Sequence, residues 1–547
     1  MEDEKSQTKN IITRSADLNE LRAFITRMVT EGRVDDAMDL LFDLIAKITN
    51  KNNEQALRIA ALLRQKFGRT SEKIAREQLD LFLQSVSEED RAAAGQADKL
   101  VLPALPPPEA PKSLRKRTGR NPLPPGLPRT VQEIEPAPEQ CICEQCGSQK
   151  ERIGCEVSEL LEFEPAGFRI IEQRRVKLAC KPCQEGVVVA PVADKPLERG
   201  RPGPGLLAHV AVSKYQDHLP LYRLSGIYAR AGVPLAPSTL GAWIAAVAAA
   251  FEPIYKVLVR LTLAAHVLGV DDTGLRVLDK DHPNGVKRGH LWAYVGYDED
   301  GRPVRAFFDY TETWEKEGPC AILKERTGYI QGDGYRGIDD LFKGPNPKAV
   351  RVGCMDHVRR KFKEALDGND LRAAVPVKLI GRLYEVEELA TQREDDTVVR
   401  QQLRHEFSRP VMAQLKEWIA GTAPTAIPKS PMGRAITYAV NQWPHLLVYL
   451  DDGALPISNI VVEQRIRPLA VGRKNYLFAG SDEGAWRAAI IYSILANCTL
   501  AGVEPFAYMR DVLDRLSRGW PAARIADLLP QNWKPPSALP AEFPAGT

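Results

Sequence analysis

The chain has 547 residues, 44% hydrophobic and 27% charged, with a formal net charge of +3. This is the composition of a globular protein too long for one core, and roughly three to five domains are expected. So small a net charge argues neither for nor against nucleic acid, and the distribution of charge carries the information. Met1–Lys9 is acidic and polar, unlike a signal peptide, and the longest apolar run, Gly241–Phe251, is about half a membrane span and stops at Glu252. Nine cysteines spread over the chain do not form a secreted disulfide framework. A soluble cytoplasmic protein, not membrane-bound, is expected.

Residues 1–100 read as a helical region. Leu18, Leu21, Ile25 and Met28 recur at helical spacing up to Gly32, and Val34, Met38, Leu41, Ile45 and Ile48 form a second stripe. A third segment spans about Glu54 to Leu83, broken at Gly68, with Thr70 or Ser71 available to cap its second part. Either a coiled-coil dimerisation element or a small helical bundle satisfies this pattern.

Residues 101–138 are proline-rich and basic, a linker. Arg115, Lys116, Arg117 and Arg120 lie in an acid-free stretch that also holds Lys112 and Arg129. An extended basic tether suits a phosphate backbone, whose binding rests on charge neutralisation; a solvated linker is the plainer reading. In 139–198, Cys143-x-x-Cys146 and Cys180-x-x-Cys183 have the pattern of a four-thiolate structural Zn²⁺ ribbon, with Cys141 and Cys155 as substitute ligands.

The region 199–264 opens on Arg199-Gly200-Arg201-Pro202, which matches a minor-groove hook as well as an ordinary turn. Leu221, Leu224, Ile227 and Tyr228 stripe one helix, Gly232 and Pro234 break it, and Ser238 or Thr239 is expected to cap a second. The outline is helix-turn-helix. The second helix is nearly all Ala and apolar, which equally suits a packed helical hairpin.

Residues 265–480 carry the chemistry. Val267–Val270 read as a buried strand that runs into Asp271 and Asp272, and Asp is poor in strands. A hairpin turning at Asp298–Gly301, a helical stretch, a strand ending in Asp333, a short strand and a basic helix follow. The order β-β-β-α-β-α-β-α is that of a ribonuclease-H-like mixed sheet, in which the first and fourth strands are neighbours. The fold class expected is therefore multidomain α/β: such a core with a helical insertion at about 370–450, preceded by helical, zinc-ribbon and DNA-binding-like segments. Strand alternation puts Asp271 and Asp272 on opposite faces, so only one of them points into a site shared with Asp333. Paired carboxylates repel unless a cation compensates them, and hard oxygen ligands favour Mg²⁺ or Mn²⁺. A third acid is expected from Glu463, about one turn into a helix capped by Ser458 or Asn459, with Arg467 on its face and Arg473 and Lys474 in a following loop. Residues 481–547 read as a helical tail.

Several segments together resemble the insertion-sequence-66 family of DDE transposases. They are "RQKFGRTSEKI", the paired cysteines, "LLAHVAVSKYQDHLPLYR", "VDDTGLRVL", "QGDGYRG", "VVEQRIRPLAVGRKNYLFAGSDEGA" and "IADLLPQNW". The resemblance implies a catalytic triad of Asp271, Asp333 and Glu463 holding two Mg²⁺ ions. It also implies binding to terminal inverted repeats, hydrolysis at the element's 3′ ends and transfer of the freed 3′-OH to target DNA. Synapsis of two ends implies a homodimer or higher oligomer, and the family is often encoded beside small accessory proteins. Asp272 stands where the family commonly has Glu, Ser458-Asn459-Ile460 where it has D-N-N, and Glu463-Gln464 where it has E-R. Asp272, Cys354 and His357 are accessory candidates; Cys354-x-x-His357 resembles a C-x-x-H seen in several eukaryotic DDE transposases, and packing beside the site is the plainer reading. A non-catalytic DNA-binding protein derived from a transposase, and a nuclease that cleaves without joining, are the alternatives.

Overall fold

A computed structural model describes residues 18–43, 76–98 and 202–535 apart from 85, 316, 344–347 and 394–395, with a few positions between 168 and 197. Cys143, Cys146, Cys180 and Cys183 lie outside the described residues, as do Arg115, Lys116, Arg117, Arg120, Arg199, Arg201, Thr70 and Ser71. The chain divides into two compact units, one of residues 1–103, 194–220 and 241–547, the other of 104–193 and 221–240.

In the smaller unit, β1 (Lys177–Leu178) pairs antiparallel with β2 (Val188–Val189). Its helix Leu221–Arg230 buries Leu224 and Tyr228 while Ile227 stays exposed, and the edge of Phe168 meets Tyr228. Gly232 follows at φ +82°, a left-handed turn that ends the helix as its sequence suggests. The next helix starts at Pro237, so Ser238 and Thr239 lie in its first turn and neither caps it. Proline at the start of a helix has no N–H to leave unpaired. This helix, Pro237–Leu263, is long and apolar enough to cross a membrane; from Gly241 on its residues belong to the larger unit, and there Val247, Phe251, Ile254 and Leu258 are buried.

The larger unit is built on five strands: β3 (Val267–Leu278), β4 (Val286–Tyr297), β5 (Pro303–Thr311), β6 (Gly328–Gln331) and β7 (Ala349–Val352). Their spatial order is β5-β4-β3-β6-β7. The first three are antiparallel; β6 joins β3 in parallel and β7 joins β6 in parallel. The hairpin between β4 and β5 turns on Gly301 at φ +76°, with the Asp298 carboxylate accepting from Asp300 and Arg302 N–H. The strands that the alternation and glycine breaks suggested are thus present, with two differences. Strand β6 ends at Gln331, two residues before Asp333, and the segment after it, Arg336–Phe342, is a 3₁₀ helix.

β3 is much longer than its parallel neighbour. It pairs with β6 only over Val267–Gly269, and its far end bridges Ala479 at Val277. Between these contacts one edge of β3, residues 270–275, pairs with no strand among the described residues. An unpaired edge in the middle of a sheet demands other partners for its carbonyls. Asn459 Nδ2 donates to Val270 O at 3.0 Å, and Arg473 donates to Gly274 O.

Helices flank the sheet. Met355–Asp367 (α1) follows β7, and 371–450 is almost entirely helical, including Ala374–Arg393 (α2), Thr397–Leu403 (α3), a π-helical turn at Arg404–Ser408, Arg409–Thr422 (α4) and Pro431–Leu447 (α5). Ile460–Tyr476 (α6) and Asp482–Ala501 (α7) come next. α7 seals β5: Ser493 Oγ accepts from Phe308 N–H, and the Asn497 amide bonds both the N–H and C=O of Ala306. The N-terminal helix Glu88–Asp98 packs on the inserted helices, its Asp90 accepting from Trp418 Nε1 at 2.9 Å. Leu18–Thr30 and residues 34–43 are helical with a turn at Gly32, φ +78°. Met28 is buried there, whereas Val34, Met38 and Phe42 are exposed.

Candidate functional site

The acids gather at the unpaired edge of β3. In register, Asp271 faces Ala293 and Asp272 faces Trp292, so alternation sends the two carboxylates to opposite sides of the sheet. Asp271 shares its side with Gly269. A Cβ at Gly269 would come within 2.6 Å of Val462 Cγ2 and 2.9 Å of Asn459 Oδ1. The missing side chain lets α6, and Glu463 with it, close onto β3. Asp333 arrives from the end of β6. Gly334 after it has φ +95°, a turn an L side chain resists, and a Cβ there would meet Gln442 at 2.8 Å. Asp333 Oδ1 accepts from Tyr335 N–H at 3.0 Å, and its carbonyl accepts from Tyr438 Oη.

These placements make the Asp271 carboxyl hard to ionise. Burial pushes it up to about 7, the Asp333 carboxylate adds to the effect, and Glu463 and Asp272 contribute further. The Asp272 N–H, donating to Asp271 Oδ1 at 2.8 Å, works the other way. A pocket at this free edge of β3 is lined by residues of both sides, among them Asp271, Asp333 and Arg351 as well as Asp272, Trp292 and Tyr335.

Glu463 lies in the first turn of α6 and is engaged from an unexpected direction. Arg360 on α1 donates to both its oxygens, at 3.1 and 2.9 Å, and His357 Nε2 stands 3.7 Å from it. Arg467, the cation suggested by i,i+4 spacing, is exposed on α6 and makes no ion pair with Glu463 among the described residues. Arg360 was missed although a signal existed: it lies three residues beyond His357 in "HVRRKFK", on the same helical face. Burial and the Arg360 charge both lower the His357 pKa.

Neither Ser458 nor Asn459 caps α6 with its side chain. Asn459 holds the cap position, but its fully buried amide is spent on Val270. Its own N–H donates to Cys354 Sγ at 3.3 Å, and burial pushes that thiol up to about 12, an inert group at neutral pH. Arg473 and Lys474 lie in the last turn of α6 rather than in a loop. Arg473 reaches back to Thr273 Oγ1 at 2.7 Å; Lys474 is exposed.

On the other side of the sheet, Asp272 accepts from His290 Nδ1 at 2.6 Å and from Trp314 Nε1 at 3.1 Å. Sequence reading assigned no role to His290 or Trp314. Both sit on β4 or just beyond β5, and only the register across the sheet brings them to Asp272.

Hard oxygen donors of this kind suit a divalent cation. Asp271 and Asp333 form the repelling pair such an ion would relieve. Among the described residues no three acid, His or Cys side chains converge as they stand on one ion position, and Glu463 is held by Arg360 instead.

A mixed sheet presenting acids at a strand edge, beside cationic side chains, is apt for work on a polyanion, and comparison with known families makes the chain a transposase. Residues 199–487 match the family model described as "Transposase IS66 family", and 493–531 match the "IS66 C-terminal element". Residues 140–184 match the "zinc-finger binding domain of transposase IS66", and 55–131 match "Transposase C of IS166 homeodomain". The chain belongs to the IS66 transposase family. Among curated relatives, "Uncharacterized protein y4hP" of Sinorhizobium fredii (strain NBRC 101917 / NGR234) is 32% identical over 509 residues, covering 88% of this chain and 89% of its own. "Uncharacterized protein y4jD" of the same strain is 32% identical over 422 residues, 75% of this chain and 81% of its own.

Proposed function

We propose that the protein binds the terminal inverted repeats of its own mobile element, hydrolyses the phosphodiester at each 3′ end and joins the freed 3′-OH to target DNA. The observation that carries this reading is the meeting of Asp271 and Asp333 at the open edge of β3, with Asp271 driven up to about 7 by burial and by the neighbouring acids. A buried excess of negative charge is costly unless a cation or a proton compensates it. Asp271, Asp333 and Glu463 are the residues we assign as catalytic acids and as ligands of Mg²⁺ or Mn²⁺. When bound, the cation supplies charge compensation and Lewis acidity for an in-line displacement at phosphorus.

The chain's own groups have separate tasks. Arg360 neutralises Glu463 until that carboxylate is needed, and then its guanidinium is available to a DNA phosphate. Arg473, tied to β3 through Thr273 and Gly274, and exposed Lys474 and Arg467 offer positive charge along α6 beside the acids. Asn459 fixes the start of α6 against β3 and so sets the position of Glu463.

We further read the sheet as ribonuclease-H-like; three antiparallel strands followed by two parallel ones in the order β5-β4-β3-β6-β7 support it. The catalytic region is taken as 265–480, with the helical insertion inside it. Cys143, Cys146, Cys180 and Cys183 are proposed to hold a structural Zn²⁺, consistent with the zinc-finger match over 140–184. Arg115, Lys116, Arg117, Arg120, Arg199 and Arg201 are proposed DNA contacts. A dimer or larger oligomer in the bacterial cytoplasm follows from joining two ends.

The test is strand cleavage and joining on duplexes carrying the element's ends. Mg²⁺-dependent nicking followed by strand transfer supports a transposase. Nicking without joining supports a nuclease, and repeat-specific binding with neither reaction supports a DNA-binding descendant.

A further inference from the structure

Trp314 is an oddity on the Asp272 side of the sheet. Its indole is 54% exposed, yet it is fixed from several directions. Nε1 donates to Asp272 at 3.1 Å, and the backbone carbonyl accepts from Tyr335 Oη at 2.7 Å. The His290 ring lies stacked with it, 6.0 Å away with an interplanar angle of 22°, and Tyr335 leans on it at 5.0 Å. His290 is in turn buried and bonded to Asp272. An exposed aromatic ring gains nothing from folding on its exposed area. Ordering it this firmly is best understood if something is to stack on it.

Beside the ring opens a groove of about 640 Å³, lined by Asp272, Thr273, His290 and Trp314, with Arg288 and Arg473 on its walls. Arg288 is exposed, and Arg473 is anchored to the free edge of β3. The volume lies in the range of small-ligand sites. Its chemistry is a flat π-surface with two guanidinium groups, the combination that receives a base and its flanking phosphates, while the Asp272 carboxylate is taken up by Trp314 and His290. Asp272, shared by Trp314 and His290, directly follows Asp271.

We propose that this groove receives one unpaired nucleotide of the DNA at the bond to be cut, its base stacked on Trp314 and its phosphates beside Arg288 and Arg473. The inference rests on the DNA-processing reading above and adds to it a step: the duplex opens locally at the site. Stacking of this kind tolerates any base and is worth roughly ten-fold or more in affinity or rate. Trp314 acts as a positioning residue through the substrate strand, and Asp272 and His290 act through Trp314.

The experiment uses the full chain, with metal withheld so that no strand is cut, and duplex ends in which a fluorescent adenine analogue is moved through each position flanking the bond. The expected result is a single position whose emission is quenched on binding wild-type protein. Trp314→Ala should bind the duplex but leave that position bright, and Trp314→Phe should restore part of the quench. With metal restored, Trp314→Ala should cut paired ends on the order of ten-fold more slowly and recover on ends carrying a mismatch at that position. A quench at no position, or one that Trp314→Ala leaves intact, overturns the proposal. So does a free mononucleotide that fills the groove and is not displaced by DNA ends, since it would make the site a nucleotide pocket. If the protein ignores the repeats altogether, the functional reading fails by itself. The same scan on a single-stranded oligonucleotide then decides the groove, and absence of Trp314-dependent quenching there overturns it.

Discussion

Arg360 on α1 donates to both carboxylate oxygens of Glu463 on α6, at 3.1 and 2.9 Å, across 103 residues of chain. The pair ties the helix after β7 to the helix that closes onto β3. It also gives Glu463 a cation partner, which the repelling Asp271–Asp333 pair lacks among the ion pairs of the described residues. Glu463 is therefore charge-paired as it stands, and the proposed role as a third metal ligand requires its release from Arg360.

Arg360→Ala should remove that competition. Both partners are partly solvated, so the stability lost should be about 1 kcal/mol. The rise in melting temperature produced by Mn²⁺ should be larger in the variant than in the wild type, because the freed carboxylate gains from the ion. Equal shifts in the two proteins would remove the assignment of Arg360 as the competitor for Glu463.

Asp333→Asn should have opposite effects on stability and on activity. It deletes one of the like charges that raise the Asp271 carboxyl. Metal-free protein should become more stable by about 1 kcal/mol in a urea titration, while Mn²⁺ should lose most of its stabilising effect. A variant less stable than wild type without metal would mean that Asp333 is there for its hydrogen bond to Tyr335 rather than for an ion.

Asp309 on β5 gives a pH dependence apart from the acid cluster. Burial raises its carboxyl from 3.8 to about 6 in the folded chain. A raised carboxyl favours the folded state fully below 3.8, and that contribution is lost as pH climbs through about 6. Asp309→Asn should therefore be more stable than wild type at pH 8, by about 2–3 kcal/mol. The advantage should shrink toward pH 4. Chemical denaturation at several pH values checks it, and parallel pH profiles for the two proteins would contradict it.

Arg404 should be the costliest side chain to remove from the inserted helices. It is 1% exposed and sits in the π-helical turn. It grips Glu387 through two bonds and the carbonyls of Tyr449, Asp452 and Leu455 through three more. It thereby fastens the insertion to the segment that leads into α6. Arg404→Ala strips partly buried Glu387 of its cation and leaves three carbonyls without that donor, at a cost of about 3 kcal/mol or more. Replacing Glu387 as well should recover only the part due to its uncompensated charge, because the three carbonyls stay without their donor. A single variant that melts like wild type would show the pair to be dispensable.

The cysteine pairs predict zinc content. Purified full-length protein should carry one equivalent of zinc by elemental analysis, and Cys180→Ser with Cys183→Ser should abolish it. Stoichiometric zinc in that double variant would exclude these thiolates as ligands.

What the sequence disclosed and what it concealed divide along the range of the interactions. The strands, the hairpin at Gly301 and the opposed faces of Asp271 and Asp272 all follow from alternation and turn residues within a few positions. Proximity of Asp271 to Asp333 required the strand order as well, and "QGDGYRG" hid that β6 stops at Gln331 because Gly332 and Gly334 permit either ending. Side-chain partners were the least legible. Local rules offered Arg467 to Glu463 and a cap to Asn459; packing gave Glu463 to Arg360 and Asn459 to Val270. A local rule loses where a buried carbonyl at an open strand edge needs a donor and the nearest amide is already caught between helix and sheet. Trp314 was invisible for a related reason, since its meaning depends on Asp272 from another strand.

The central claim is that Asp271, not its neighbour, is the acid of the site. The most direct test is Mg²⁺-dependent nicking at the element's 3′ end by wild type, Asp271→Asn and Asp272→Asn side by side, with DNA binding measured in parallel. The account predicts that all three bind the ends, that Asp271→Asn makes no nick, and that Asp272→Asn nicks more slowly but measurably. Nicking by Asp271→Asn at the wild-type rate would contradict it.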